Sequence, residues 1–176
     1  MFSRPDDNIE YLDLHPGMSV LECGVGAGDY TIHLASRIGE GGHLYAADVQ
    51  KSLLERVHAD AERKHLTNIT TLWSDLDAKD SLKKLPDASI DRVVIANILF
   101  QLEQPQNLFL ECARVLKPGG LLLCIDWSES FGGIGPRPDA VVHVDIAQSL
   151  ATQAGLQILK NSIDVGPHHY GFTVRK

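Results

Sequence analysis

Residues 20–30 read VLECGVGAGDY, with glycines alternating at Gly24, Gly26 and Gly28 and an acid, Glu22, just before them. A backbone so bare can turn tightly and let a ligand approach closely, because a Cβ would obstruct both. The run "SVLEC" that leads into it has the length and apolarity of a buried parallel strand. After the glycines, Ile32, Ala35 and Ile38 keep helical spacing until Gly39 and the Gly41-Gly42 pair stop the helix. The stretch therefore predicts strand, glycine turn and helix in that order.

The same alternation continues outward. "HLYAAD" predicts a second strand, "KSLLERVHADAERK" an amphipathic helix, and "NITTLWSD" a third strand. "DRVVIAN" follows a Pro86-Asp87 turn as a fourth strand, and "PQNLFLECARVLK" is a helix that Pro118-Gly119-Gly120 cannot continue. "LLLCID" is a fifth strand, "WSESFGGIGPRPD" a Gly/Pro-rich loop, and "VDIAQSLATQAG" a helix ending at Gly155. Two last strands, "LQILKNSID" and "YGFTVRK", are joined by residues 165–169. That link is too short for a crossover helix, so the last strand should run antiparallel. The expectation is a doubly wound α/β fold, a seven-stranded, mostly parallel sheet with an antiparallel last strand, forming one domain over residues 1–176.

Formal net charge is −7 with no Lys/Arg run, which weighs against a nucleic-acid partner. The opening "MFSRPDDNIEYLDLHPG" lacks the apolar core of a signal peptide, and no apolar run is long enough to span a bilayer. Cys23, Cys112 and Cys124 show no CxxC spacing, which points to a reduced, cytoplasmic compartment.

In a sheet of this kind, ligands bind beyond the carboxyl ends of the strands. The next acid at such an end is Asp48, twenty residues after Gly28 (48 − 28 = 20). A carboxylate there can accept both hydroxyls of a ribose. The glycine spacing is GxGxG, not the dinucleotide GxGxxG, and no GK[ST] follows. Glu22 is a poor neighbour for pyrophosphate but suits a cationic ligand, a description that fits S-adenosylmethionine.

At this point the chain resembles the Rossmann-like (class I) S-adenosylmethionine-dependent methyltransferases. "VLECGVGAG" resembles their first motif, "YAADV" the ribose-binding strand end, and "WSDLD" the segment framing the adenine. "DRVVIANILFQLE" and "ARVLKPGGLLLCIDW" resemble the fourth- and fifth-strand motifs, and the nearest group is that of the ubiquinone/menaquinone C-methyltransferases. One departure is Glu22, where the family usually has Asp. The resemblance implies that Gly24, Gly26 and Gly28 floor the methionine part and that Glu22 orients its amino end. It implies that Asp48 holds the ribose with Val49 beside the adenine, that Asp75 accepts from the adenine amino group, and that Leu76 offers a backbone N–H. Cys23 belongs to that cofactor-binding set by position, its thiol being packed and not nucleophilic. Asn97 would line the methyl-transfer region.

The implied chemistry is an in-line displacement needing chiefly alignment and shielding, without a metal. On the acceptor side, Asp126 and the turn residues His168, His169 and Tyr170 fall on the same face of the sheet, with Asn97, and are the candidates for catalysis. A bland reading of the histidines as solvated turn residues stands beside this. Phe131 and Ile134, among the glycines of the loop after the fifth strand, suggest a mobile lid. The expected acceptor is a small molecule, with no membrane span and a monomer or homodimer. A noncatalytic adenosyl-binding scaffold subunit, an NAD-linked oxidoreductase, and a methyltransferase for protein or RNA remain open.

Overall fold

A computed structural model describes residues 4–176; Met1–Ser3, which begin the stretch read as lacking a signal-peptide core, lie outside the described residues. Seven strands form one sheet: β1 (Ser19–Cys23), β2 (His43–Asp48), β3 (Ile69–Trp73), β4 (Ile90–Ala96), β5 (Leu116–Trp127), β6 (Gln157–Lys160) and β7 (His169–Arg175). Their spatial order is β3-β2-β1-β4-β5-β7-β6. β7 runs antiparallel between β5 and β6, and the remaining pairs are parallel. The order reverses between β1 and β4, so the glycine turn after β1 sits at the switch point of the sheet.

The central strands are apolar on both sides because helices cover both faces. Leu21 and Cys23 of β1 join Val93 and Ile95 of β4 in a core with Phe109 and Cys112 of α4 (Pro105–Val115) and Ala147 of α5 (Val144–Gln153). Val20 turns to the other face, with Leu34 and Ile38 of α2 (Asp29–Ile38). α3 (Lys51–Arg63) packs Leu54 and Val57 against Val25 and Ala46.

Two local outcomes differ from the sequence expectation. Pro118-Gly119-Gly120 does not form a turn between helix and strand; β5 begins at Leu116, directly after α4, and pairs there with Ile90. The register then shifts before Arg92, and Gly119 takes φ +79° within this irregularity. A Cβ on Gly120 would come within 2.8 Å of Leu116 Cδ2 and 2.9 Å of the Lys117 carbonyl, so the glycine allows the strand to kink where it leaves the helix. Second, residues before β1 form a short helix, α1 (Pro5–Ile9), which the apolar periodicity did not announce. It is tied to α2 by Asn8 Nδ2 donating to the Tyr30 hydroxyl at 2.8 Å and by the Asp6–His33 pair, and the turn that follows it by the Glu10–Arg37 pair.

The segment between β3 and β4 has no regular element and is held by side chains. Leu82 and Leu85 are buried in the core, and Arg114 of α4 donates to the carbonyls of Leu82 and Leu85, to Asp87, and through two nitrogens to Glu111. Glu111 also accepts from the Leu82 N–H at 2.9 Å. The Arg114 hydrogen bond is the main reason the Glu111 carboxyl lies below its ordinary range. A depressed carboxylate stabilises the fold above its unfolded pKa and loses that contribution as pH falls through the folded one. We expect Arg114→Met to cost on the order of 2–3 kcal/mol at neutral pH, short of a fully buried pair because Arg114 is partly wetted. The deficit should shrink as the pH drops below about 4, read from urea midpoints of both proteins.

Candidate active site

The glycine turn is built from left-handed backbone. Gly24, Gly26 and Gly28 have φ of +80°, +50° and +86°, values that penalise any side chain. A Cβ on Gly24 would lie 2.7 Å from Ile98 Cδ1, so this glycine lets the loops after β1 and β4 meet. A Cβ on Gly26 would meet nothing within 4 Å; it would project into open space. Asp48, 7% exposed, fastens the turn: Oδ2 accepts from Val25 N–H at 3.1 Å and Oδ1 from Gln50 N–H at 2.8 Å.

A cavity of about 1370 Å³ opens on this turn. Its wall takes in Gly24 to Gly28, Asp48, Val49, Asp75 and Leu76 at one end and Asn97, Ile98, Trp127, Ile134 and His169 at the other. Glu22 and Cys23 lie behind the wall. Glu22 is 2% exposed and accepts from the Thr31 hydroxyl at 2.6 Å. Burial pushes its carboxyl up to about 8, the Thr31 bond opposing and Asp48 and Asp29 adding to the shift. Glu22 is therefore protonated at neutral pH instead of presenting a charge. The Cys23 thiol lies 3.9 Å from that of Cys112, and both are buried and free.

The acceptor-side candidates separate. Asn97 and His169 line the cavity; Asp126, His168 and Tyr170 do not belong to its lining. Asp126 is buried, and its carboxylate accepts from the backbone N–H groups of Leu99 and Trp127, each at 2.8 Å. Burial raises it to about 6 against those bonds. It therefore positions two wall segments. His168 stacks on Phe131 with centroids 3.7 Å apart and holds Glu129 at 2.7 Å. Tyr170 packs beside Phe172, with its hydroxyl buried and unpartnered and its pKa raised by burial. His169 is the first residue of β7, not part of the connecting turn.

The description "methyltransferase domain" attaches to a family model that matches residues 21–124. The chain belongs to the methyltransferase domain family. A demethylmenaquinone methyltransferase from Geobacillus sp. (strain WCH70) is 27% identical over 124 residues, which make up 70% of this chain and 51% of that protein. A tRNA (adenine(58)-N(1))-methyltransferase from Thermus thermophilus is 31% identical over 115 residues, 65% of this chain and 42% of that one. The chain thus spans about half the length or less of these curated relatives. A crystal structure of a SAM-dependent methyltransferase from Aquifex aeolicus superposes with a TM-score of 0.86 at 28% identity, covering 98% of this chain and 89% of the other. Motifs and fold together assign this family member to the class I, S-adenosylmethionine-dependent branch, related to the quinone C-methyltransferases.

Periodicity missed part of the methyltransferase wall. Arg4, Pro5, Asp6 and Asp7 of the N-terminal segment line it too. Pro5 at the first helical position followed by two acids is a helix-start signal that could have pointed there. No helix among the described residues is long and apolar enough to cross a membrane.

The Glu22 carboxyl sets a test of the site. Its folded pKa is raised, so its stabilising contribution is complete below the unfolded value of about 4.3 and is lost as pH rises toward 8. Glu22→Gln should lose this decline. Relative to the parent, the variant should gain stability between those limits by on the order of a few kcal/mol. Urea midpoints at several pH values check it, and parallel curves for the two proteins would count against a protonated Glu22.

Proposed function

We propose that this domain transfers a methyl group from S-adenosylmethionine to a small-molecule acceptor in a cytoplasmic setting. The observation that carries the cofactor half is the Gly24–Gly28 turn at the switch point, with Gly26 open to the cavity and Asp48 beside it. The residues fit the cofactor. Asp48 spends one lone pair per oxygen on Val25 and Gln50 and keeps capacity for ribose hydroxyls. Val49 and the buried Leu76 offer apolar contact to a base, and Asp75 an acceptor for an exocyclic amino group. Glu22 sits behind the turn with its carboxyl on the Thr31 hydroxyl, and would give up its proton more readily once a cation lies nearby. The bound cofactor would supply an electrophilic methyl on sulfonium.

Two features favour a small acceptor. The cavity is larger than the 300–1,000 Å³ or so of a typical single-ligand site, leaving room beside the cofactor. Its wall holds eight carboxylates against three Lys/Arg residues, in a chain of net charge −7. That balance repels a polyanion. An RNA acceptor, which the name of the Thermus relative evokes, is the weaker reading for this reason.

Titration calorimetry with S-adenosylhomocysteine, NAD and ATP tests the cofactor; only the first should bind. Asp48→Asn should lower that affinity roughly tenfold, on the order of 1.5 kcal/mol for a lost charged hydrogen bond. Gly26→Val should abolish binding, and normal affinity in a folded Gly26→Val protein would remove the turn from the site.

The loop after β5 is the natural cover. Ile134 reaches the cavity wall, Phe131 packs on His168, and a Cβ on Gly135 would come within 2.8 Å of the Trp127 indole. Chymotrypsin should cut after Phe131 in the free protein and more slowly when S-adenosylhomocysteine saturates it. Equal rates would argue for a passive connection and an acceptor docked from outside.

A further inference from the structure

Trp73 closes β3, the edge strand beside β2, and is the register partner of Asp48. It is 56% exposed, so packing in the core does not account for it. A single exposed aromatic is not a docking patch either. Trp73 differs from a bare surface ring by two ties to the chain that leaves β2. Its indole Nε1 donates to the Val49 carbonyl at 2.9 Å, and the Lys51 ammonium lies over the ring, 5.0 Å from its centroid. A cation over an indole face is held by the ring quadrupole, so both the edge and a face of this ring are engaged.

Val49 is where such a tie matters. It stands past the end of β2 and before α3, on the cavity wall, and is 51% exposed. The bonds around it begin and end without it. The Asp48 carbonyl accepts from Ser74 N–H at 3.0 Å, and the Gln50 carbonyl accepts from Leu53 and Leu54 N–H at the start of α3. The Val49 carbonyl lies between these two ladders, and the Trp73 indole supplies its donor. Trp73 also leads, two residues on, into Asp75 and Leu76, which line the same wall. One side chain therefore joins the two wall segments assigned above to the base.

We propose that Trp73 is a positioning residue for the base of the cofactor: its indole N–H fixes the Val49 carbonyl and so holds the Val49 side chain against the base before the ligand arrives. The inference rests on the S-adenosylmethionine reading above. Trp73 does not belong to the cavity lining, so it acts through Val49 and not by contact. A wall segment ordered in advance costs less to order on binding. The coupling is reciprocal: a bond that favours the ligand is favoured by the ligand, by the same factor.

Titration calorimetry with S-adenosylhomocysteine on the parent, Trp73→Phe, Val49→Ala and the double variant tests the route. Trp73→Phe keeps a ring for Lys51 and removes the N–H. It should weaken binding about fivefold, the scale of one neutral hydrogen bond. Val49→Ala should also cost about fivefold, from lost apolar contact. The double variant should be no weaker than Val49→Ala alone, whereas independent losses would multiply to roughly 25-fold. A merely structural Trp73 would give the multiplied value. Hydrogen exchange of the indole N–H in nitrogen-15 spectra of the parent needs no Trp73 variant to fold, and Trp127→Phe assigns the signals of the two tryptophans. Exchange at Trp73 should slow about fivefold when S-adenosylhomocysteine saturates the protein. Failure of the parent to bind S-adenosylhomocysteine would remove the cofactor reading itself. Binding by the parent with unchanged affinity in Trp73→Phe, with multiplied losses, or with unchanged indole exchange would overturn the role of Trp73 and leave the cofactor reading standing.

Discussion

Asp48 ties the end of β2 to the turn that leaves β1. With one oxygen on Val25 N–H and the other on Gln50 N–H, it joins the loops that leave β1 and β2, the first of them built from left-handed backbone. Three left-handed glycines in five residues lose much conformational freedom on folding. Charged hydrogen bonds to backbone N–H groups offset part of that cost. The same carboxylate faces the cavity, so the group that fixes the turn also belongs to the surface the turn creates. Gly24 N–H donating to the Ala47 carbonyl at 2.8 Å adds a second tie between the same two strand ends. The wall of the cavity at this end is thus fixed by contacts within the protein itself.

Buried acids elsewhere are handled in three ways, each by a different environment. Glu111 keeps its charge because Arg114 lies across it and the Leu82 N–H completes its coordination. Glu22 receives a single hydroxyl donor and has two like charges near it, so burial wins and it holds a proton. Asp126 falls between: backbone N–H donors oppose desolvation without overcoming it, so its carboxyl is raised, though less far than that of Glu22. The difference follows from the number and charge of the donors, not from depth alone.

Much of this was legible in the chain. The βαβ rhythm, the switch-point glycines and Asp48 follow from periodicity and spacing, because parallel strands buried on both faces must be apolar and a tight approach must lack Cβ atoms. What could not be read was which face of a strand end a side chain takes. Asp126 and Trp127 are neighbours at the end of β5, yet one turns under the loop after β4 and the other lines the cavity. His168 and His169 divide likewise: one is taken by Phe131 and Glu129, the other by Pro167 and Trp127. Such assignments depend on pleat parity, which an irregular entry into a strand shifts by one residue and thereby inverts. The kink at Gly119-Gly120 escaped for a related reason. Gly and Pro signal a break, but whether the break separates two elements or bends one depends on the partner strand, here Ile90.

The reversal of one strand determines which side chains reach the cavity beyond β4 and β5. In a wholly parallel sheet only carboxyl ends reach the ligand edge, and β7 would present Arg175 there with its first residue at the far edge. Because β7 runs antiparallel, Trp127 pairs with His169 and Leu121 with Arg175. The strand's amino end therefore arrives among the carboxyl ends of β4 and β5. It brings with it the connecting segment Val165–His168, whose Pro167 carbonyl sets the tautomer of the imidazole. A parallel strand in this place would need a crossover, and a turn residue could not fix a ring across it. The short final hairpin is thus what allows a neutral, oriented histidine on the wall of a cavity to which the other end contributes glycines and carboxylates.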